Sequence, residues 1–195
     1  MKRLLLFLFG VVCGGAVLVM FPGVSTHLRA AAHALHGSQG SPAGRAHSVK
    51  ELSFTANGPL EHVAPLFGAD KERAWSPDWE PEFIHPAPAA DTEGMVFAVS
   101  HDHLSSLWVN TEFDLKNGRV QYVYVIPDAM VTVITIRLTP AGEQTRVAVR
   151  YDRTALSADA DAHVQRLGKP DRQASAWWSQ RINGYLAQQK GSSAQ

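Results

Sequence analysis

The amino-acid sequence predicts an α+β fold in which an antiparallel sheet packs against a long C-terminal helix. Three observations support this prediction. Short segments rich in Val, Ile, Thr and aromatic residues follow one another through the middle of the chain. The links between them are too short for parallel crossovers. The last third of the chain then changes from a two-residue to a helical hydrophobic spacing.

Turn sequences determine how the predicted strands connect. The strands are expected at residues 48–55, 95–100, 107–113, 119–126, 130–138 and 145–151. Asn117-Gly118 is typical of a tight hairpin, and Pro127-Asp128 and residues 140–143 are also turn-like. Parallel neighbours would need crossovers of about a dozen residues or more, so the later strands are predicted to form an antiparallel meander.

Helices are predicted on either side of these strands. A short amphipathic helix ending at Gly68 follows from Pro59 and from the spacing of Leu60, Val63, Ala64 and Phe67. A second short turn is expected within residues 69–75. The long helix is expected at 171–189, where one face carries Ala174, Trp178, Ile182, Tyr185 and Leu186. This face is predicted to pack on the sheet.

A proline-rich segment separates the short helices from the meander. Trp75, Trp79 and Phe83 are four residues apart, but the prolines at 77, 81 and 86 exclude a long helix. The aromatic residues would either form a lip over a cavity or close the edge of the sheet as structure, and the structural role is favoured. Phe83 and Ile84 are expected in a short strand.

The composition suits one folded domain with an appendage. Of the 195 residues, 45% are hydrophobic and 18% charged, which allows a packed core. Residues 48–195 hold fourteen basic and eighteen acidic side chains, a net charge of −4. This balance argues against a nucleic-acid-binding protein, which presents a basic surface to phosphates. The only cysteine is Cys13, which excludes an internal disulfide, a multi-cysteine zinc site and an iron–sulfur cluster.

The N-terminus resembles an export or membrane signal. Lys2 and Arg3 precede residues 4–21, which are all apolar or glycine. At 1.5 Å per residue this run reaches about 27 Å, enough for an uncleaved signal anchor in a thin membrane. A cleaved signal peptide is the alternative. Because cationic flanks stay in the cytoplasm, the domain is expected on the extracytoplasmic side, or in the periplasm after cleavage.

The chain is expected to divide into four segments. They are the signal anchor or signal peptide at 1–24, a flexible linker rich in Ala, Gly, Ser and His at 25–47, the folded domain at 48–190 and a disordered tail at 191–195.

Three segments carry a family resemblance: RAWSPDWEPEFIHP with EGMVF (73–86 and 93–97), LWVNTEFDLKNGRVQYVYVIP (107–127), and YDRTALS with WSQRINGYL (151–157 and 178–186). With them, residues 48–188 resemble the START-like or SRPBCC superfamily, in particular bacterial proteins of the polyketide cyclase/dehydrase and lipid transport type. The resemblance implies a helix-grip fold, a curved antiparallel sheet wrapped around the C-terminal helix with a cavity between them. Members bind lipids, sterols, polyketides and other apolar molecules, and some are cyclases or aromatases.

Alternation along the strands predicts which side chains face the helix. Given the resemblance, the apolar set is expected to line a cavity for an apolar ligand, with tyrosine hydroxyls to orient it. The predicted lining comprises Phe97, Val109, Phe113, Tyr122, Tyr124, Ile134, Ile136, Val149, Tyr151, Trp178, Ile182 and Tyr185. The alternative is that these side chains only fill a core.

A bulge could invert the strand at 107–113. Trp108, Asn110 and Glu112 would then face inward, and a buried Glu112 would need a partner such as Arg137.

No metal, cofactor or catalytic residue is assigned from the sequence. His101 and His103 share a strand face, but Asp102 points away and no third ligand is identifiable, so an exposed loop is expected. The sequence contains no phosphate-binding glycine loop, HExxH or GxSxG motif.

Three functions fit these observations. The first is membrane-tethered, non-catalytic binding of an apolar or lipid-like small molecule. The second is a cyclase- or dehydratase-type enzyme with Tyr122 or Tyr124 as proton donor. The third is a protein-interaction scaffold with a filled core. Paired ionisable groups in a deep pocket would favour the enzyme, and a cavity filled by side chains would favour the scaffold.

Overall fold

Seven strands form one sheet, and helices cover one of its faces. A computed structural model describes residues 44–101, 104–169 and 172–192. The strands are β1 (His47–Ala56), β2 (Glu82–His85), β3 (Val96–His101), β4 (Leu104–Asp114), β5 (Arg119–Ile126), β6 (Met130–Ala141) and β7 (Gln144–Ala155). The helices are α1 (Leu60–Val63), α2 (Ala158–Leu167) and α3 (Arg172–Ser192), with 3-10 turns at Ala64–Phe67, Lys71–Ala74 and Leu115–Asn117.

The strands lie in the order β1-β7-β6-β5-β4-β3-β2, and every pair of neighbours is antiparallel. Strands β2 to β7 therefore form the predicted meander, and β1 joins its far edge beside β7. The α+β arrangement with a long C-terminal helix is confirmed. β1 already begins at His47, one residue inside the segment that was assigned to the linker.

The predicted hairpin turn at Asn117-Gly118 lies between β4 and β5. Gly118 has a left-handed backbone with φ 63°, and a Cβ at this position would overlap the backbone oxygen of Leu138. Asp114 closes the turn, because its carboxylate accepts the Asn117 backbone N–H at 3.2 Å. Only glycine combines this φ with this close approach.

The proline-rich segment has the structural role favoured by the sequence. Trp75 and Trp79 are buried, and their indole N–H groups donate to the backbone oxygens of Leu66 (2.8 Å) and Ala69 (2.7 Å). These bonds join the segment to the helical turns before it. Phe83 lies in β2, as predicted.

α3 packs on the sheet through the predicted face. Ala174, Trp178, Ile182 and Leu186 are buried, whereas Tyr185 is half-buried. At the C-terminal half of the helix, Asn183 donates to the backbone oxygen of Thr55 at 3.1 Å and accepts the Asn57 backbone N–H at 2.7 Å.

α2 was not predicted. Its sequence is rich in Ala and Asp, so hydrophobic spacing gave little signal there. Ser157 stands at its N-cap position, and Ala160 and Val164, four residues apart, are its buried residues. The helix packs on β1 and β7, where the Ser48 hydroxyl donates to the Val164 backbone oxygen at 2.7 Å.

A bulge in β4 changes which side chains face inward. Asn110 lies opposite Tyr122, but Glu112 lies opposite Gln121, so Thr111 is an extra residue. Before the bulge Trp108 and Asn110 point inward and are buried, and after it Phe113 packs against the core. Glu112 remains on the outer face, where it pairs with Arg137 at 2.9 Å.

The expected anchor at residues 4–21 lies outside the described residues. None of the helices in the described part of the chain is long and apolar enough to cross a membrane.

Candidate functional site

One row of side chains crosses the inner face of the sheet from edge to edge. Its members occupy directly paired positions on the seven strands. We call this the central row; from β2 to β1 it comprises Phe83, Phe97, Trp108, Tyr124, Thr132, Arg153 and Ser48. One half of the row is aromatic and the other half is polar.

The polar half contains buried groups without hydrogen-bonding partners. Tyr124, Thr132 and Arg153 are 2%, 0% and 3% exposed. The Tyr124 hydroxyl, the Thr132 hydroxyl, and Nε and Nη1 of Arg153 have no partner among the described residues. Each such group costs about 1–3 kcal/mol, and more when it is charged. The Arg153 guanidinium lies 4.3 Å from the ring centroid of Tyr151, a cation–π contact that offsets part of this cost.

The aromatic half is a continuous stack. The rings of Trp108 and Tyr124 are 4.2 Å apart and nearly parallel, at 21°. Phe97 stacks on the other side of Trp108 at 5.6 Å. Trp79 packs edge-on against both Phe97 and Trp108. This half presents flat apolar surfaces whose geometry suits a planar partner.

The space between the sheet and α3 is closely filled around these residues. The Trp178 ring stacks on Phe67 at 5.8 Å and lies 5.3 Å from Trp75. Ile134, Ile136 and Trp178 are at most 1% exposed. A molecule that binds to the central row must therefore displace side chains or helices from it.

A second group of polar residues lies beside the row. Glu72 is buried, and its Oε1 has no partner among the described residues. Burial is the main reason why the pKa of Glu72 lies well above its ordinary value, and the negative charge of the nearby Asp91 raises this pKa further. Burial also raises the pKa of Asp91, although its carboxylate accepts the backbone N–H groups of Asp70 (2.8 Å) and Lys71 (3.2 Å). Glu72 therefore keeps its proton to a higher pH than an exposed carboxyl group does.

Tyr122 belongs to the same group. Its hydroxyl donates to the Phe67 backbone oxygen at 2.9 Å. Burial, then Asp91 and Glu72, raise the pKa of the Tyr122 phenol well above its usual value. The phenol therefore stays protonated, and its proton is already used in this hydrogen bond.

Most of the predicted lining residues do face inward. Those that are buried are Phe97, Tyr122, Tyr124, Ile134, Ile136, Val149, Tyr151, Trp178 and Ile182, and Phe113 and Tyr185 are partly buried against the same core. Contact between these residues and a ligand stays a prediction. The inward placement of Val109 is wrong, because the Thr111 bulge puts Trp108 and Asn110 on the inner face instead.

Sequence reasoning missed Arg153, Thr132 and Glu72 among the inward polar residues. Arg153 lies two residues after Tyr151 and therefore on the same face of β7, but the predicted strand ended at residue 151. Thr132 lies on the same face of β6 as Ile134, but it was not included among the predicted lining residues. Glu72 lies in a 3-10 turn, and the spacing of residues in the sequence does not predict which side of such a short turn faces the core. Extending the alternation of β6 and β7 to their ends would have found the first two.

A pocket of about 570 Å³ lies over β1, β7 and β6. It is lined by Glu51, Leu52, Ser53, Thr135, Arg137, Ala148, Val149, Arg150 and Ser175. Both of its arginines are already paired, Arg137 with Glu112 and Arg150 with Glu51 and Asp152. Most of its members belong to the exposed outer face, and we assign no ligand to it.

In the part of the chain that the structure describes, no group of three or more His, Cys, Asp and Glu residues could hold a metal ion. Asp102 and His103 lie outside that part.

Comparisons with known proteins bear on the fold. No protein-family model matches the chain, and no curated protein matches it. Norcoclaurine synthase from Thalictrum flavum is similar in structure, with a TM-score of 0.56, 10% identity, and coverage of 81% of this chain and 99% of the synthase. Ara h 8.0201 has a TM-score of 0.52 at 13% identity, covering 73% of this chain and 99% of that one. Mll3558 from Rhizobium loti has a TM-score of 0.50 at 17% identity, covering 71% and 96%.

At these identities the likenesses show the fold alone. The matches cover nearly the whole length of each solved structure. In the present chain the strands and the C-terminal helix have the arrangement that the resemblance implies. The chain therefore has a helix-grip α+β fold, as the resemblance implies.

Proposed function

We propose that the chain binds an apolar or amphipathic small molecule on the inner face of the sheet, without catalysing a reaction, while its N-terminal segment holds the domain at a membrane. The unpartnered polar groups of the central row carry this proposal. Tyr124, Thr132 and Arg153 place three polar side chains among aromatic and aliphatic ones. Their hydroxyls, and two nitrogens of the guanidinium, have no hydrogen-bonding partner among the described residues. A ligand site typically combines an apolar lining with a few polar groups in this way.

The same observation argues against a purely structural core. An apolar residue of the same shape would fill the space without leaving a buried hydroxyl or guanidinium unpartnered, and such replacements are often neutral or stabilising. The row therefore costs stability that a bound partner would return. The close filling around Trp178 is what a scaffold would show, whereas the unpartnered groups favour a binding protein whose ligand displaces side chains from the row.

The fold supports the proposal without identifying the ligand. Norcoclaurine synthase has been solved in complex with dopamine and hydroxybenzaldehyde, and that structure has a TM-score of 0.57 to this chain at 10% identity, covering 80% of this chain and 98% of that one. A helix-grip domain can therefore hold small aromatic molecules. In the present chain the stacked rings of Trp108 and Tyr124 offer a surface for such a molecule.

The membrane tether rests on residues 4–21 and on charge. An apolar ligand partitions into a bilayer, and a tether would keep the domain beside that supply. The net charge of −4 over residues 48–195 disfavours adsorption to anionic headgroups. The anchor, rather than the surface of the domain, would therefore supply the proximity.

Native mass spectrometry and dye binding test the proposal. The full-length protein, purified in mild detergent, should retain an apolar molecule or take up N-phenyl-1-naphthylamine with energy transfer from its buried tryptophans. Ile136→Lys should abolish uptake, because it puts a charge on the inner face. Val133→Lys, on the outer face of the same strand, is the matched control. An empty wild-type protein that takes up no dye would contradict the proposal.

An acid–base enzyme is the second candidate, and the Glu72–Asp91 pair favours it. A buried carboxylic acid with a raised pKa beside a second carboxylate is a typical proton donor. If the chain catalyses proton transfer, the α-hydrogens of a bound aryl ketone should exchange with deuterium oxide. Glu72→Gln should abolish this exchange and leave dye uptake unchanged.

A further inference from the structure

We propose that the ligand carries a carboxylate, and that Arg153 binds this group together with the hydroxyls of Thr132 and Tyr124. The inference rests on the proposed function and names the ligand class for the same site. It follows from the charge, the burial and the alignment of the three side chains.

Arg153 is a buried cation whose possible partners are engaged elsewhere. A guanidinium keeps its charge at physiological pH, so burial without an anion is costly. Its neighbour Asp152 points to the outer face and pairs with Arg150 and His47, both at 2.9 Å. Asp161, on the helix that packs over β7, accepts the Ala46 backbone N–H at 2.8 Å and lies 3.4 Å from Arg45. Among the described residues no carboxylate pairs with Arg153.

The three side chains occupy neighbouring positions on the inner face of the sheet. Thr132 lies directly opposite Arg153, and Tyr124 lies directly opposite Thr132. Facing side chains on neighbouring strands have Cβ atoms about 4.5–5.5 Å apart. A carboxylate has two oxygens with about four acceptor positions. One carboxylate could therefore accept from an unpartnered guanidinium nitrogen of Arg153 and from the unpartnered hydroxyls of Thr132 and Tyr124.

The electrostatic surroundings also favour an anion. His163 lies on α2, and burial, followed by the positive charges of Arg166 and Arg153, lowers the pKa of its imidazole. The imidazole is therefore neutral at neutral pH. Arg153 is one of the positive charges that disfavour a protonated imidazole at this place, and the same charge attracts an anion.

The rest of the row indicates the body of the ligand. Trp108 is three strands from Arg153, a distance of about 14 Å at 4.7–4.9 Å per strand. Its ring and that of Tyr124 form the stacked surface that begins where the polar half ends. A molecule that lies along the row would meet aromatic faces with one end and the guanidinium with the other. The favoured ligand is thus a carboxylic acid with a flat, apolar body.

Calorimetric titration of the full-length protein with a matched pair of ligands tests the inference. 2-Naphthoate and 2-naphthylmethanol share the ring system and differ in the carboxylate. Wild-type protein should bind the naphthoate about ten- to a hundred-fold more tightly, as expected for hydrogen bonds to a charged group. Arg153→Met should remove this preference, whereas Arg146→Met, on the exposed outer face of the same strand, should preserve it.

The outcomes separate the inference from the proposed function. Equal binding of both ligands by wild-type protein, or an unchanged preference in Arg153→Met, would overturn the carboxylate site and leave ligand binding intact. Binding of neither ligand would overturn both. If circular dichroism shows that Arg153→Met is unfolded, Thr132→Val, which preserves the side-chain shape, replaces it. That variant should weaken naphthoate several-fold and leave naphthylmethanol unchanged, and unaltered naphthoate binding would count against the site.

Discussion

Tyr122 and Phe67 are 55 positions apart in the chain, and a 2.9 Å hydrogen bond joins the Tyr122 hydroxyl to the Phe67 backbone oxygen. The bond connects the middle of the sheet to the helical turn that lies on it. Tyr124, two residues further along β5 and on the same face, has a hydroxyl with no partner among the described residues. The two phenols are equally buried, at 4% and 2% exposure, but differ in hydrogen bonding.

Removing the two hydroxyls should therefore have opposite effects. Tyr122→Phe should lower the free energy of unfolding by about 1–3 kcal/mol, because it breaks a buried hydrogen bond and strands a backbone oxygen. Tyr124→Phe should leave stability unchanged or raise it by up to about 1 kcal/mol, since it removes an unpaired polar group. Urea unfolding of the full-length protein measures both. A larger loss for Tyr124→Phe would contradict the assigned hydrogen bonding.

Trp178 should be the main anchor of α3. It is 1% exposed and contacts the rings of Phe54, Phe67 and Trp75. Trp178→Ala should cost about 3–5 kcal/mol of unfolding free energy. Trp177→Ala, at the half-buried neighbouring position, should cost less than half as much. Equal losses in urea unfolding would mean that the buried face of the helix is wrongly assigned.

Two glycines should respond to alanine with opposite signs. A Cβ on Gly68 would overlap the Asp91 carboxylate, whereas a Cβ on Gly184 would meet open space. Gly68→Ala should destabilise the protein by about 1–3 kcal/mol through overpacking. Gly184→Ala should stabilise it by up to about 1 kcal/mol, because alanine favours the helix. Thermal unfolding gives the order of the two variants and the wild type, and any other order contradicts this packing.

Glu72 should make the fold less stable as pH rises. Its pKa is well above the ordinary 4.5 in the folded protein because the carboxyl is buried. Above pH 4.5 the unfolded chain releases this proton while the folded protein keeps it, so stability falls from there up to the raised pKa. Glu72→Gln should remove this part of the slope. Urea unfolding at pH 5 and pH 8 should show a smaller loss in the variant, and identical losses would contradict the burial of an ionisable Glu72.

The orientation of the proposed anchor can be tested with reporters. Because Lys2 and Arg3 precede the apolar run, alkaline phosphatase fused after Gln195 should be active. An inactive phosphatase, together with an active cytoplasmic reporter at the same site, would contradict the proposed topology. Replacing Lys2 and Arg3 by Glu tests whether charge sets the orientation.

The strands were predictable because their signals are local. Alternation and short turns identify β4 to β7 within a few residues, and the turn at Asn117-Gly118 even specifies the left-handed backbone of Gly118. A bulge in this strand was an alternative that would turn Trp108 and Asn110 inward, but its position at Thr111 was not predictable, because nothing in the sequence distinguishes the extra residue. Its consequence is large, since one inserted residue exchanges Val109 for Trp108 on the inner face.

The polar part of the site was harder to predict for a different reason. Arg153 looks like a surface residue at the end of a strand, and α2, which packs on that strand, carries little hydrophobic signal of its own. Glu72 likewise reaches the interior through packing of short turns. Whether a charged residue is buried depends on tertiary contacts that sequence patterns do not encode.

The order of the strands also constrains how the chain acquires its structure during synthesis. β1 pairs along its whole length with β7, about a hundred residues later in the chain. A ribosome must therefore release nearly all of the domain before β1 can find its neighbour, and contacts of such long sequence separation form slowly. Until then β1 remains an unpaired edge. Under the proposed export across a membrane, this delay would keep the polypeptide extended during translocation.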